Sequence, residues 1–308
     1  MINSKDRINK IARNSELLLN MSEDNLRRKQ MLLLDMYRDV KRICDKNQIS
    51  LFLIGGSALG AVRHHGFIPW DDDMDLAMTR QDYSKFTSIF EVSLGNDYIL
   101  NAPNYSSKAC HKYPRILKKD SYYRAIIDTN IEELHCIYLD LFIIENTPNN
   151  LIHRYLKGIV CNFFYIASWE VFIWENNNSD VKAFLMRGGW FNYYIRLLIG
   201  FIFSFRKSEK WFDLFDKLIQ YNNNKSDCCC LATGRKRYFG EIMQREQWFP
   251  GVEADFEGEK VLLFQDLDYY LRNLYGDYMQ IPPLEKRERH NACEIYFSRE
   301  EMERAKEK

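Results

Sequence analysis

Asp71, Asp72, Asp73 and Asp75 fall within the five positions 71–75, just after Pro69-Trp70. In an extended chain, residues two apart project to the same face, about 6.6–6.8 Å apart. Asp71, Asp73 and Asp75 therefore share a face if the strand begins early enough. Asp73 and Asp75 are the best-held pair, because Met74 and Leu76 would point into the core. Clustered carboxylates raise one another's pKa values unless a cation sits among them. All-oxygen donors select a hard ion, Mg²⁺ or Mn²⁺, and Mg²⁺ is typically held by one or two carboxylates plus substrate phosphates. A third carboxylate is expected from a neighbouring strand. Asp140 supplies one, as a lone acid within Tyr138-Leu139-Asp140-Leu141-Phe142, where burial without a partner would be costly. It would act as ligand or as general base. The plainer alternatives are a solvated acidic loop after Pro69 and a structurally paired Asp140.

Gly55-Gly56-Ser57 precedes the acids and follows the apolar run Ile49–Ile54. A buried strand turning into a helix presents unpaired backbone N–H groups and a hydroxyl, which together cradle phosphate. Such a turn alone is a weak signal. Followed at fifteen residues (Gly56 to Asp71) by an acid strand, it is far more specific, since one element grips phosphates and the other the metal bridging them. Arg63 would neutralise charge on a leaving group, or serve only as a cation at a helix C-terminus.

The elements that must position these residues follow from periodicity. Ser22–Asn47 has the 3.6-residue spacing of a helix with Ser22 and Asp24 as N-caps. Ser57–His64 reads as a short helix capped by Ser57, Asp73–Met78 as a half-buried strand, and Gln81–Phe90 as a helix. Strands are expected at Tyr98–Leu100, Tyr113–Leu117, Tyr122–Ile127 and His135–Ile144. Apolar helices are expected at Leu151–Trp174, Trp190–Phe205 and Glu209–Tyr221. Strands and loops return from Cys228, followed by a helix at Asp266–Tyr275. The organisation is an N-terminal arm (1–21), a catalytic core (22–150), a helical insertion (151–227) and a C-terminal part (228–308) that completes the core.

The chain has 308 residues, 46% hydrophobic and 15% aromatic, ample for a buried core. Its 43 basic and 43 acidic residues cancel, so the basic excess of a nucleic-acid-binding domain is missing. Met1–Asn20 lacks the apolar run of a signal peptide. The eight cysteines form no CxxC pair, and reduced thiols in a cytoplasm are the expectation.

The stretch from Gly55 to His64, followed by Gly66-Phe67-Ile68-Pro69-Trp70-Asp71-Asp72-Asp73-Met74-Asp75, closely resembles the signature of the LicD family. The likeness extends to Asp82-Tyr83 and Asp140-Leu141-Phe142, and returns at Tyr275-Gly276-Asp277-Tyr278-Met279 with Pro282-Pro283. Ser57 stands where the family often has Thr, and Glu145 where it has the second acid of the Asp140 strand. Residues 151–226 carry no motif of the family. The resemblance implies an α+β fold, a nucleotidyltransferase-like (polymerase β-type) mixed sheet flanked by helices, here with a helical insertion. It implies transfer of a phospho-alcohol from a CDP-activated donor, typically CDP-choline, to a sugar hydroxyl of a teichoic acid or lipopolysaccharide precursor, with release of CMP.

On that reading Asp73, Asp75 and Asp140 hold the metal, Gly55, Gly56 and Ser57 hold a non-transferred phosphate, and Asp71 or Asp140 takes the acceptor proton. A choline group would need an aromatic cage, for which Trp70, Tyr83, Trp248, Phe249 and Tyr278 are candidates. Lys112, Arg115, Lys118 and Lys119 read as a solvated face, or alternatively as donor-phosphate ligands. Trp190–Phe205 falls short of the roughly 20 residues that span a bilayer. It reads as a buried helix, or as one lying on the membrane with Arg187, Arg196, Arg206 and Lys207 toward headgroups, useful for a lipid-linked acceptor. The competing functions are a nucleotidyltransferase moving NMP to a small molecule or sugar phosphate, and a catalytically silent glycan-binding protein.

Overall fold

A computed structural model describes residues 17–223, 225–287 and 292–307. The expected N-terminal arm falls outside these as far as residue 16. Helix α1 (Glu23–Lys46) is capped by Ser22, whose Oγ accepts from the Asn25 N–H, and its buried face includes Leu33, Met36, Tyr37, Val40 and Cys44. Then come β1 (Phe52–Leu53), α2 (Gly55–His64), β2 (Asp75–Thr79), α3 (Arg80–Leu94), β3 (Tyr98–Asn101), β4 (Arg115–Lys118), β5 (Tyr122–Ala125) and β6 (Tyr138–Asn146). Four helices follow: α4 (Leu151–Glu175), α5 (Ser179–Met186), α6 (Trp190–Phe203) and α7 (Ser208–Ile219). The chain continues with β7 (Cys228–Cys230), α8 (Arg237–Gly240), β8 (Ile242–Gln244), α9 (Arg245–Trp248), β9 (Val252–Phe256), β10 (Glu259–Leu263), α10 (Leu267–Tyr275), β11 (Ala292–Tyr296) and α11 (Arg299–Lys306).

The main sheet runs β3-β4-β6-β2-β1-β10-β9. The pairs β2/β6 and β1/β10 are parallel, and the other neighbours along this path antiparallel. This is the mixed sheet flanked by helices that the resemblance implies. Strand β7 extends the far end of β6 and carries β8. The expected strand at Tyr122–Ile127 is β5, but it pairs with β11 in a separate two-stranded sheet.

Two local expectations are corrected. Helix α2 begins at Gly55, after an extended Ile54, so Ser57 lies inside the helix rather than capping it. The chain turns at Gly55, whose φ of +55° is a conformation glycine adopts without a Cβ penalty. Strand β2 begins only at Asp75, leaving Asp71 and Asp73 on the segment that leads into it. Alternation nonetheless persists there. Asp72 turns away and pairs with Lys29 (Nζ to Oδ2, 2.6 Å), both side chains buried.

The helices between β6 and β7 are fastened to the sheet side by polar groups. Arg80, at the start of α3, donates to both Glu145 of β6 (Nε to Oε1, 2.8 Å) and Asp216 of α7 (2.8 Å). Asn104 donates its backbone N–H to Asp213 (2.7 Å) and its amide to Asp216 (2.9 Å).

Candidate active site

Asp75 and Asp140 are register partners on the adjacent parallel strands β2 and β6. Inter-strand pairing holds such residues about 4.8 Å apart in the direction of the hydrogen bonds. Asp71, Asp73, Asp75 and Asp140 all line one cleft of about 1010 Å³, at the upper end of the range for small-molecule sites. Burial raises the Asp140 carboxyl above its ordinary pKa, Arg115 opposes that rise, and the charge of Asp73 adds to it.

The approach to the acids is held from behind. The Phe67 N–H donates to Glu257 Oε1 (3.2 Å), and Arg27 pairs with Glu257 (2.8 Å). Gln30 Nε2 donates to the Asp71 carbonyl (2.9 Å), and the Asp71 N–H to the Ile68 carbonyl (2.9 Å).

The glycine turn serves the acids directly. A Cβ on Gly55 would lie 2.8 Å from Asp75 Oδ2, and one on Gly56 would lie 2.7 Å from Asp71 Oδ2. Both carboxylates thus rest against the N-terminus of α2, where helix polarity favours negative charge. The Gly55 N–H donates to the Tyr270 hydroxyl (3.2 Å). Ser57 has a different task from the expected one. Its Oγ accepts the backbone N–H of Asp75 (2.9 Å), and its side chain is buried behind the cleft. The hydroxyl that reads as a phosphate ligand fixes the start of the acid strand.

Arg63 lines the cleft, donating to the Tyr278 carbonyl (Nη1, 2.7 Å), with its guanidinium 5.9 Å from the Trp70 ring centroid.

Basic residues line the same cleft. Arg115 on β4 is the register partner of Asp140 from its other side and donates Nε to Oδ1 (2.8 Å), while the Tyr113 hydroxyl donates to Oδ2 (3.3 Å). Lys112 is buried with its ammonium 3.9 Å from the Tyr165 ring centroid and 4.2 Å from that of Trp169. Burial pulls its pKa down to about 7, with Arg237 adding to the fall and Glu170 opposing it. Lys112 and Arg115 are therefore cleft groups and not a solvated face. Arg196 and Arg237 line the same space, as do Lys286 and Arg287. His111 and Lys112 reach the cleft by packing beneath Tyr165 and Trp169 of α4, and no spacing in the sequence announces it.

Of the aromatic candidates, Trp70 and Tyr278 line the cleft. Tyr83 and Trp248 are core residues, and Phe249 packs on Phe52. The Trp70 ring already carries the Arg287 guanidinium at 4.0 Å. Sequence reasoning missed Tyr113, Tyr165 and Trp169, since the last two lie on α4, which carries no recognisable motif.

Among the described residues, no group of three or more His, Cys, Asp or Glu side chains is gathered to hold a metal ion. Asp140 is engaged by Arg115 and Tyr113, so the expected set of Asp73, Asp75 and Asp140 is not assembled as three ligands. Asp73 and Asp75 do fit a hard cation in donor chemistry, provided that phosphate oxygens complete its shell.

Residues 48–154 match the family described as the LicD/FKTN/FKRP nucleotidyltransferase domain, in agreement with the resemblance read from the motifs. The lipopolysaccharide cholinephosphotransferase LicD of Haemophilus influenzae is 26% identical over 285 residues, covering 90% of this chain and 100% of that protein. Uncharacterized proteins of Rickettsia typhi and Rickettsia prowazekii are 37% identical over 62 residues and 38% identical over 55 residues. These cover 20% and 18% of this chain, and 20% and 21% of theirs.

Proposed function

On the premise that the chain carries a nucleotidyltransferase domain of the LicD/FKTN/FKRP family, we propose that it transfers phosphocholine from CDP-choline to a sugar hydroxyl of a cell-surface glycan precursor, of lipopolysaccharide or teichoic-acid type, releasing CMP. One observation carries this reading: a cleft lined both by the acids Asp71, Asp73, Asp75 and Asp140 and by the bases Lys112, Arg115 and Arg237. A diphosphate donor needs both, the acids to hold a divalent cation and the bases to take the remaining phosphate charge. The full-length coverage of a cholinephosphotransferase supports the choice of alcohol.

Asp73 and Asp75 would hold Mg²⁺ or Mn²⁺. When bound, such an ion neutralises the diphosphate and favours departure of the nucleotide. Gly55 and Gly56 leave room for the carboxylates behind it. Arg63, beside Trp70, would balance charge on the departing CMP. Asp140, raised by burial, would receive the acceptor proton, with Asp71 as the alternative base. The eight cysteines are all free, and six are buried, which suits a reducing cytoplasm where a CDP-activated donor is used.

Incubation of the purified protein with CDP-choline labelled in the choline, and separately in the cytidine, tests this in the presence of a glycan acceptor. Choline label on the glycan with free labelled CMP supports the proposal. Cytidine label on the product would replace it with nucleotidyl transfer.

A further inference from the structure

Helices α4 and α6 are apolar on the outer side as well as on the inner one. Ile159 and Phe163 on α4, and Leu198, Phe201 and Ile202 on α6, point outward and are exposed, Phe163 at 47% and Phe201 at 59%. The two outer faces are continuous, because the helices cross closely. A Cβ on Gly200 would lie 2.4 Å from the Glu170 carbonyl oxygen, and the rings of Trp174 and Phe201 meet at 5.5 Å. The inner side is buried against the protein through Ala167, Val171, Phe172 and Ile173 of α4 and Tyr193 of α6, with one bonded polar pair between the helices, Arg196 donating Nε to Glu170 Oε2 at 2.9 Å. Soluble monomers rarely expose a contiguous apolar surface of this kind.

We propose that this face docks on an anionic lipid surface. Charge selects lipid over a protein partner. From Arg187 to Lys210 the chain carries five cations and a single acid, Glu209; of the five, Arg196 turns inward to Glu170, and Lys207 and Lys210 lie 3.7 Å from Glu175 and 3.4 Å from Asp213. Arg187, Arg206 and Lys207, which flank α6, are exposed. An apolar helical face bounded by exposed cations is the pattern of a helix lying in the headgroup layer. Helix α4 is long and apolar enough to cross a membrane by length and composition. Its other side, with Ala167, Ser168, Glu170 and Val171, is buried inside the protein, so it presents a face to lipid and does not cross. Trp169, Glu170, Tyr193 and Arg196 of the same two helices line the cleft, so docking sets the cleft beside the headgroups. A lipid-linked acceptor would gain from that, a use that rests on the function proposed above. The docking itself does not.

The test is flotation of the full-length protein with vesicles of phosphatidylglycerol and phosphatidylcholine in equal parts, against phosphatidylcholine alone. The protein is expected to float with the anionic vesicles, with binding about tenfold weaker to the neutral ones and falling as salt is added. Phe163→Glu and Phe201→Glu are expected to abolish flotation while keeping the wild-type melting temperature and transfer to a soluble acceptor. Absence of flotation with either vesicle overturns the proposal. So does a solution dimer that these substitutions convert to monomer without any vesicle binding, which would make the face an interface between copies. Failure of transfer with intact flotation would count against the proposed reaction alone.

Discussion

Half-buried Arg115 and buried Asp140 are register partners on β4 and β6, joined Nε to Oδ1 at 2.8 Å, and on its other side Asp140 is the register partner of Asp75. The acid that faces the cleft is thus held between a cation and the acid strand. Removing Arg115 leaves a buried charge uncompensated. Arg115→Met is expected to destabilise the fold by about 3–5 kcal/mol in urea unfolding. Arg115→Met combined with Asp140→Asn should recover much of that loss, because neither charge remains. A single substitution costing less than about 1 kcal/mol, the range of exposed pairs, would argue that the pair is solvated.

Asp73→Asn and Asp75→Asn should each lower kcat for transfer by about 10²–10³-fold, with the melting temperature unchanged or raised as like-charge repulsion falls. Chelation of divalent ions should abolish transfer in the wild type, and Mg²⁺ should restore it. The two variants should need more Mg²⁺ for their residual rate. Transfer that persists in excess chelator would remove the cation from the mechanism.

Gly55 and Gly56 separate shape from backbone strain. Gly56→Ala places a methyl 2.7 Å from Asp71 Oδ2 without a positive φ to contend with, so transfer should fall while stability changes little. Gly55→Ala adds to its contact with Asp75 a left-handed φ of +55°, which costs an L-residue about 1–2 kcal/mol. It should lower both activity and the urea midpoint. Equal stability losses for the two would refute this distinction.

Lys112 makes stability depend on pH in a defined window. Its pKa falls from 10.5 to about 7 through burial, assisted by Arg237. Below pH 7 the folded and unfolded chains both carry the proton. Between about 7 and 10.5 the unfolded chain keeps it and the folded chain does not, so stability rises with pH by at most about 1.4 kcal/mol per unit. The difference in urea stability between wild type and Lys112→Met should therefore shift in favour of wild type from pH 7 to 9. A flat difference would mean that the Tyr165 and Trp169 rings hold the ammonium charged throughout.

What could be read from the amino acids was whatever local chemistry dictates. The Ser22 cap, the alternation of Asp71, Asp73 and Asp75, and the lone acid in the β6 run each follow from neighbours in sequence. Ser57 departs from its sequence expectation for a physical reason. A hydroxyl after two glycines fits phosphate equally well on paper, and only the return of β2 alongside α2 shows that its oxygen is taken by the Asp75 N–H. Lys112 and Arg115 are not assignable from sequence because Lys112 is buried by Tyr165 and Trp169 of α4, about 50 residues away, and Arg115 finds Asp140 only through the pairing of β4 with β6. The apolar stripe of α4 was equally silent, since an outward apolar face and an inward one have the same periodicity.

The Arg80 clamp, with Glu145 on the sheet and Asp216 on α7, sets the limits of redesign. It fastens α7 to the sheet without using any of the cleft aspartates. A graft of a relative's segment between Leu151 and Ile219 must therefore present an acid to Arg80, a partner to Asn104 and rings to Lys112. Such chimeras should inherit their choice of acceptor from the graft while keeping the donor chemistry of the host.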